Sequence, residues 1–229
     1  MTGRCLVVVP AYNEADTIEE VVRRALRHAD VCVVDDGSTD ATADLVEAVG
    51  GVTCIRHDQN THIAGAIVDG FRHAEANDYS YCITMDAGLS HDPDQIPRFQ
   101  AVADADLVLG YRENRIDVPL RRRALSRVAT LLINRGLARQ RNIAETPTFR
   151  DTTSGFRMYS RAAYRIILGA ELQCRSFDFH LEALSRIAKA GLPIAEVPIT
   201  YRYTNSSLRL PVLRDALATF GRIWRDELV

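Results

Sequence analysis

Short apolar runs alternate with stretches of helical periodicity through the first half of the chain. Cys5–Val9, Val31–Val34, Val52–Ile55, Tyr81–Thr84 and Leu107–Leu109 are short and β-rich, and predict strands. Between the first two, Ile18, Val21, Val22, Ala25 and Leu26 recur on one helical face, and Thr17 with Glu20 has the spacing of a capping box. Asp40 or Thr39 is placed to cap a second helix whose apolar face includes Ala43, Leu45 and Val46. Strands interleaved with helices predict an α/β chain with a mostly parallel sheet and right-handed crossovers.

The second half is less regular. Leu125, Val128, Leu131 and Leu132 give helical periodicity from Arg121 to Leu137, and the polar stretch Gln140–Asp151, which contains Pro147, predicts a loop. Gly155–Tyr159 predicts a strand, and Phe177 to Ala190 a helix stopped by Gly191. Ile194–Val197 and Ile199–Tyr203 predict two extended pieces broken at Pro198. From Pro211 to Leu228, Leu213, Leu217, Phe220 and Trp224 share one face, suited to packing on the domain or to resting on a membrane.

The bulk properties narrow the class. The 229 residues, 47% hydrophobic and 25% charged, are those of an ordinary globular protein, and a net charge of -2 gives no reason to expect nucleic-acid binding. Five cysteines, four of them in strand-like runs, predict small buried thiols in a reducing compartment. With no apolar run long enough to span a bilayer and no secretory leader, the expectation is a cytoplasmic chain, with peripheral contact at the inner face of a membrane left open. Charge is uneven, however. Between Arg112 and Arg165 there are 13 arginines against four acids, a pattern that fits either a solvated helix face or a surface turned toward phosphate.

The chemistry sits where the strands end. Val9-Pro10-Ala11-Tyr12-Asn13-Glu14 offers a fixed exit, a stacking ring and a carboxylate suited to base or ribose hydroxyls. Val34-Asp35-Asp36-Gly37-Ser38 adds two carboxylates to a turn. Open α/β sheets gather ligands at such junctions. These junctions carry acids and turn formers instead of the glycine-rich G-x-G-x-x-G, which favours a sugar nucleotide over a dinucleotide. Plain turn-and-cap roles remain the competing reading.

A third strand end reads Met85-Asp86-Ala87-Gly88-Leu89-Ser90-His91-Asp92-Pro93. With Gly110-Tyr111-Arg112, Asp151-Thr152-Thr153-Ser154-Gly155-Phe156-Arg157 and Glu196-Val197-Pro198-Ile199-Thr200-Tyr201, the chain resembles a family 2 glycosyltransferase of the GT-A fold, in the branch of polyprenyl-phosphate (dolichyl-phosphate) mannose and glucose synthases. The resemblance runs in order along nearly the whole chain. It implies one GT-A domain over residues 1–229, with residues 1–110 as the nucleotide-binding half and 111–229 on the acceptor side. It also implies inverting transfer of a hexose from GDP-mannose or a UDP-sugar to a polyprenyl phosphate.

By the same resemblance, Pro10, Ala11, Tyr12, Glu14, Asp35, Asp36 and Asn60 hold the nucleoside, and Asp86 is the first acid of an Asp-x-Asp motif that binds Mg²⁺ or Mn²⁺ beside the diphosphate. Here the chain departs from the pattern. Gly88 replaces the second acid, leaving Asp86, with help from His91 or Ser90, as the metal ligand set. Weak metal binding, a metal-independent reaction supported by arginines, and a nucleotide-sugar-binding protein without transferase activity are the alternatives. His62 is a second departure, at a position where the family places glycine. Arg112 and Arg157 are candidates for gripping phosphate, since arginine does so bidentately. Asp178 and Glu182, four residues apart on one helix, are candidate bases should the acceptor be a sugar or natural-product hydroxyl. A phosphate acceptor is already an anionic nucleophile and needs none. Oligomeric state leaves no mark in the sequence.

Overall fold

The computed structural model describes residues 3–140, 148–203 and 210–227. Its seven strands are β1 (Cys5–Ala11), β2 (Asp30–Asp35), β3 (Thr53–Arg56), β4 (Tyr81–Thr84), β5 (Leu107–Ile116), β6 (Arg157–Ser160) and β7 (Ile194–Arg202). They form one sheet in the order β3-β2-β1-β4-β6-β5-β7. Only β6 runs against its neighbours, antiparallel to both β4 and β5; every other pairing is parallel. The mostly parallel sheet expected from the alternation is therefore present.

The helices are α1 (Ile18–Ala25), α2 (Thr42–Val49), α3 (His62–Ala76), α4 (Ile96–Gln100, preceded by a 3₁₀ turn at Pro93–Gln95), α5 (Leu120–Gln140), α6 (Arg161–Leu168), α7 (Phe179–Lys189) and α8 (Leu210–Arg225). They cover both faces of the sheet, which is why β1 and β2 read as continuous apolar runs. Leu6 and Val8 of β1 point into a core with Phe71, Tyr159, Tyr164 and Phe179. Val7 and Val9 point to the other side, among Ile18, Val22, Phe99 and Phe156. Gly70 lets α3 press onto β1: a Cβ there would lie 2.3 Å from Val8 Cγ1.

Several local expectations change. The Thr17 hydroxyl does not cap α1; it donates to the Ala87 carbonyl at 3.1 Å, so tertiary contact wins over the capping box. Asp40 does accept from the Thr42 N–H, at 2.9 Å. Pro198 does not split β7. The strand lies at the sheet edge and pairs with no strand but β5, so at Pro198 a missing N–H costs no ladder bond on the open side. β5 runs seven residues past Leu109 because β7 supplies a partner that its polar second half does not advertise. Residues 141–147 of the expected loop lie outside the described residues, as does the side chain of Leu213.

All five cysteines are free, with Cys32, Cys82 and Cys174 buried. Among the described residues, no helix is long and apolar enough to cross a membrane.

Candidate active site

The C-terminal ends of β2, β1 and β4, the N-terminal end of β6 and the stretch of β5 from Leu109 onward fall on one edge of the sheet. Ala11 is level with Asp35, and Thr84 and Leu109 are both level with Arg157. Pro10, Ala11, Tyr12, Glu14, Asp35, Asp36, Asp86, Arg112, Asp151 and Gly155 are thus gathered on that edge.

The first two loops are tied together. Asn13, with φ of 55°, accepts from the Thr39 N–H at 2.8 Å and donates its own N–H to Ser38 Oγ at 2.9 Å. That leaves Tyr12 exposed as a platform, 49% accessible. Asp35 is buried and accepts from the Ser38 N–H at 3.3 Å. Asp36 is also buried. Its Oδ1 takes His57 Nδ1 at 2.8 Å and both the backbone N–H and the hydroxyl of Thr61 at 2.7 Å, anchoring the start of α3. Asn60 is exposed and accepts from the His62 N–H at 3.0 Å. His62 itself sits at φ of 64°, a left-handed conformation that glycine adopts without strain and that histidine tolerates better than most residues. This accounts physically for a glycine preference at that position.

Glu14 and Asp86 face each other across the β1 and β4 ends. Burial raises the Glu14 carboxyl above its ordinary range; the Thr17 hydroxyl opposes this, and the Asp86 charge adds to it. The Asp86 side chain is 31% accessible, and its Oδ2 lies 3.4 Å from Nδ1 of the buried His91. The Asp86 N–H lies 3.4 Å from the same nitrogen, and burial lowers the His91 pKa. Gly88 leaves open space: a Cβ there would meet only Glu14 Oε2, at 4.0 Å.

Among the described residues, no three His, Cys, Asp or Glu side chains converge as a metal cage. The donor set of one accessible carboxylate fits a hard cation whose remaining ligands are water and diphosphate oxygens, the usual habit of Mg²⁺.

Arg112 meets Asp151 in a fork, with Nε 2.6 Å and Nη2 2.8 Å from the two carboxylate oxygens. Nη2 also bonds Ser126 Oγ of α5 at 3.0 Å, and Thr153 Oγ1. Arg115 Nη2 stands 3.6 Å from the same carboxylate. Burial alone would raise the Asp151 carboxyl, but Arg112 and the Thr153 donors hold it down to about 2. Burial depresses the Arg115 pKa, and the charges of Arg112, Arg123 and Arg127 push it the same way. One carboxylate thus serves two guanidinium groups, Arg112 and Arg115.

Three expected site residues stand elsewhere. Arg157 is fully buried and gives its donors to carbonyls: Nε to Ser154 at 2.8 Å, Nη1 to His180 at 2.5 Å and Nη2 to Thr152 at 2.6 Å. It clamps the loop before β6 to α7 and turns no donor toward the edge. Glu182 is buried in a pair with Arg186, Oε1 to Nη2 2.8 Å, and accepts from the Gln173 N–H. Asp178 accepts from the Ser176 N–H at 2.8 Å and from the Thr219 hydroxyl of α8 at 3.0 Å. His180, between them, is buried with both ring nitrogens unpartnered. A Cβ on Gly155 would lie 2.9 Å from its Nε2 and 3.3 Å from Asp86 Oδ1, so glycine is what lets the two approach.

Asp151 was the site residue least visible as an individual in the sequence. Its signal was an isolated acid inside an arginine-rich stretch.

Comparison with known proteins agrees with this arrangement. Residues 6–168 match the family described as Glycosyl transferase family 2. An undecaprenyl-phosphate mannosyltransferase of Micrococcus luteus is 31% identical over 212 residues, 86% of this chain and 83% of that protein. A polyprenol monophosphomannose synthase of Mycolicibacterium smegmatis is 28% identical over 218 residues, 87% of this chain and 78% of that one. Among solved structures, glucosyl-3-phosphoglycerate synthase from Mycobacterium tuberculosis, in complex with Mn²⁺, UDP and glucosyl-3-phosphoglycerate, superposes with a TM-score of 0.71 at 19% identity, covering 98% of this chain and 81% of that one. Strand-end acids, sheet order and family match together make this chain a GT-A-fold glycosyltransferase that belongs to glycosyl transferase family 2.

Proposed function

We propose that this glycosyltransferase moves a hexose from a nucleotide sugar to a polyprenyl phosphate, inverting the anomeric carbon. The observation that carries the reading is the surplus of positive charge around Asp151. Arg112 and Arg115 share that single carboxylate, with Arg123 and Arg127 near enough to perturb Arg115, on the same sheet edge as Asp86. Such a cluster attracts an anionic ligand. The two relatives, an undecaprenyl-phosphate mannosyltransferase and a polyprenol monophosphomannose synthase, support a phosphate acceptor.

In this reading the residues up to Gly110 take the nucleotide. Tyr12 stacks on the base, and the loops built around Asp35, Asp36 and Asn60 shape the nucleoside site. Asp86 is the carboxylate placed to hold a divalent cation, which when bound neutralises charge gathering on the departing diphosphate. The remainder of the chain takes the acceptor. Asp151 fixes the Arg112 fork in advance, so the guanidinium meets an incoming phosphate without reorganising. An acceptor phosphate attacks as an anion. That suits a site in which Asp178 and Glu182 are buried and already bonded, and offer no base to a hydroxyl.

The test pairs binding with transfer. Calorimetry with GDP-mannose, UDP-glucose and UDP-N-acetylglucosamine, in Mg²⁺, Mn²⁺ or EDTA, identifies the donor. Incubation of that donor with polyprenyl phosphate, the dephosphorylated polyprenol and free sugars follows. Transfer to the phosphate alone is the expected result. Transfer to a sugar hydroxyl, or donor binding without transfer to anything, overturns the acceptor assignment.

A further inference from the structure

Residues 149–153 bring Asp151 to the site, and side chains hold their backbone. Five consecutive N–H groups donate to side-chain oxygens and none to another backbone group. Phe149 gives to Asn134 Oδ1 at 3.1 Å, and Arg150 and Asp151 both give to Glu196 Oε1, at 2.8 and 3.3 Å. Thr152 gives to Thr130 Oγ1 at 3.3 Å, and Thr153 to Asp151 Oδ1 at 3.1 Å. Backbone donors in a folded chain mostly bond to other backbone groups. The course of this loop is therefore set from α5 and β7. Asn134 also donates to the Phe149 carbonyl at 2.8 Å, and Ser126, Thr130 and Asn134 follow at intervals of four along one side of α5.

Glu196 has a particular place among these partners. It lies on β7 level with Leu109 of β5, and Ile199 is level with Arg112. Side chains alternate along a strand. Val197 and Ile199 pack with Phe99 and Phe156, so Glu196 faces the opposite side, where Ile133 and Leu137 of α5 pack. The strand pair that carries Arg112 thus carries the group that places Asp151. Both halves of the Arg112–Asp151 fork are set from one hydrogen-bonded ladder.

An acid in this position meets opposition. Burial raises the Glu196 carboxyl and the Asp151 charge works the same way, against the two N–H bonds and the Arg150 charge. A neutral acceptor would avoid the repulsion but hold the two N–H groups less firmly, since bonds to an ionised acceptor are the stronger ones. We infer that Glu196 is a positioning residue of the phosphate site: it sets Asp151 through the Arg150 and Asp151 N–H groups, and Asp151 in turn presents the Arg112 guanidinium to an anion. This rests on the reading above that Arg112 receives a phosphate.

Calorimetry on the full chain tests it, with farnesyl phosphate as the anionic probe and the better bound of GDP and UDP as the control. Glu196→Gln keeps the reach of Oε1 without the charge. Glu196→Asp keeps the charge and falls one methylene short of the reach. Expected are farnesyl phosphate affinity within about threefold of wild type for Glu196→Gln, a roughly tenfold loss for Glu196→Asp, and unchanged nucleotide affinity in both. A merely structural role moves both ligands together or neither. Circular dichroism confirms folding, and Asn134→Ser, which frees the Phe149 end of the same loop, is expected to follow Glu196→Asp. Wild-type probe affinity in Glu196→Asp overturns the inference, as does equal loss of probe and nucleotide, or a loss in Glu196→Gln as large as in Glu196→Asp. Arg112→Gln separates this role from the reading beneath it. If Arg112→Gln loses the probe while Glu196→Asp retains it, the phosphate site stands and the role of Glu196 falls. If wild type binds the probe no better than Arg112→Gln, both fall.

Discussion

Arg112 and Asp151 are joined by two contacts, 2.6 and 2.8 Å, with the carboxylate almost wholly shielded from solvent. Removing the acid strands a guanidinium in a half-closed site, so Asp151→Asn is expected to cost about 3 kcal/mol or more. The pH dependence has a definite sign. The carboxyl is held at about 2 against an ordinary value near 3.8, so its contribution is complete above pH of about 4 and drains away as pH falls toward 2. The span corresponds to about 2 kcal/mol. Urea unfolding of wild type and Asp151→Asn at several acidic pH values gives both numbers, and parallel curves would count against the pair.

The buried acids of α7 invite a different experiment. Glu182 pairs with Arg186, and Asp178 anchors α8 through Thr219. Glu182→Gln is therefore expected to lower stability by about 3 kcal/mol while leaving turnover per folded molecule within a few-fold of wild type. A general base would give the opposite result: unchanged melting and turnover lower by a factor of about a hundred or more. Thermal melts and initial rates on the same samples separate the two.

His180 is buried with neither nitrogen bonded, and burial, reinforced by the nearby charges of Arg157 and His91, pushes its pKa well below the usual range. A depressed histidine stays neutral in the fold while the unfolded chain takes up a proton. Stability is thus full above pH of about 6.5 and falls as pH drops below it. His91, depressed by its own burial, works in the same direction. His180→Leu is expected to flatten the slope between about pH 6.5 and pH 5 and to raise stability at neutral pH by about 1 kcal/mol, because an unsatisfied polar group is removed. Urea midpoints at neutral and mildly acidic pH report both, and an unchanged slope would show that the ring finds a partner.

What could be read from the chain was local. The Val31–Val34 and Tyr81–Thr84 runs became strands because their residues are apolar on both faces, and the acids after β1, β2 and β4 reached one edge because parallel neighbours end together. α3 and α6 escaped notice: α3 is interrupted by Gly65 and Gly70, and α6 opens on Arg161 directly after β6. The fates of Arg157 and Glu182 were invisible for a different reason. Both stand within motif-like segments, but residue type and spacing do not say which way a side chain turns: Arg157 is held inward by the Ser154, Thr152 and His180 carbonyls, and Glu182 by Arg186 and the Gln173 N–H. Asp36 shows the intermediate case. Its place at the strand end was legible, and its bonds to His57 and Thr61 were not.

Gly88 provides the last prediction. A Cβ there meets nothing nearer than Glu14 Oε2 at 4.0 Å, so an aspartate can enter without displacing backbone. Gly88→Asp sets a third carboxylate beside Asp86 and Glu14, whose carboxyl is already raised by burial with Asp86 adding to it. Without a cation the added repulsion is expected to lower stability by about 0.5–1 kcal/mol. With Mn²⁺ and a nucleoside diphosphate the same charge becomes a ligand, and Mn²⁺ affinity is expected to rise roughly tenfold. Titration of Mn²⁺ by electron paramagnetic resonance, with and without nucleotide, measures this directly. Should affinity stay the same while stability drops, the side chain at 88 faces Glu14 and not the ion, and the chain would hold its cation through Asp86 and the nucleotide alone.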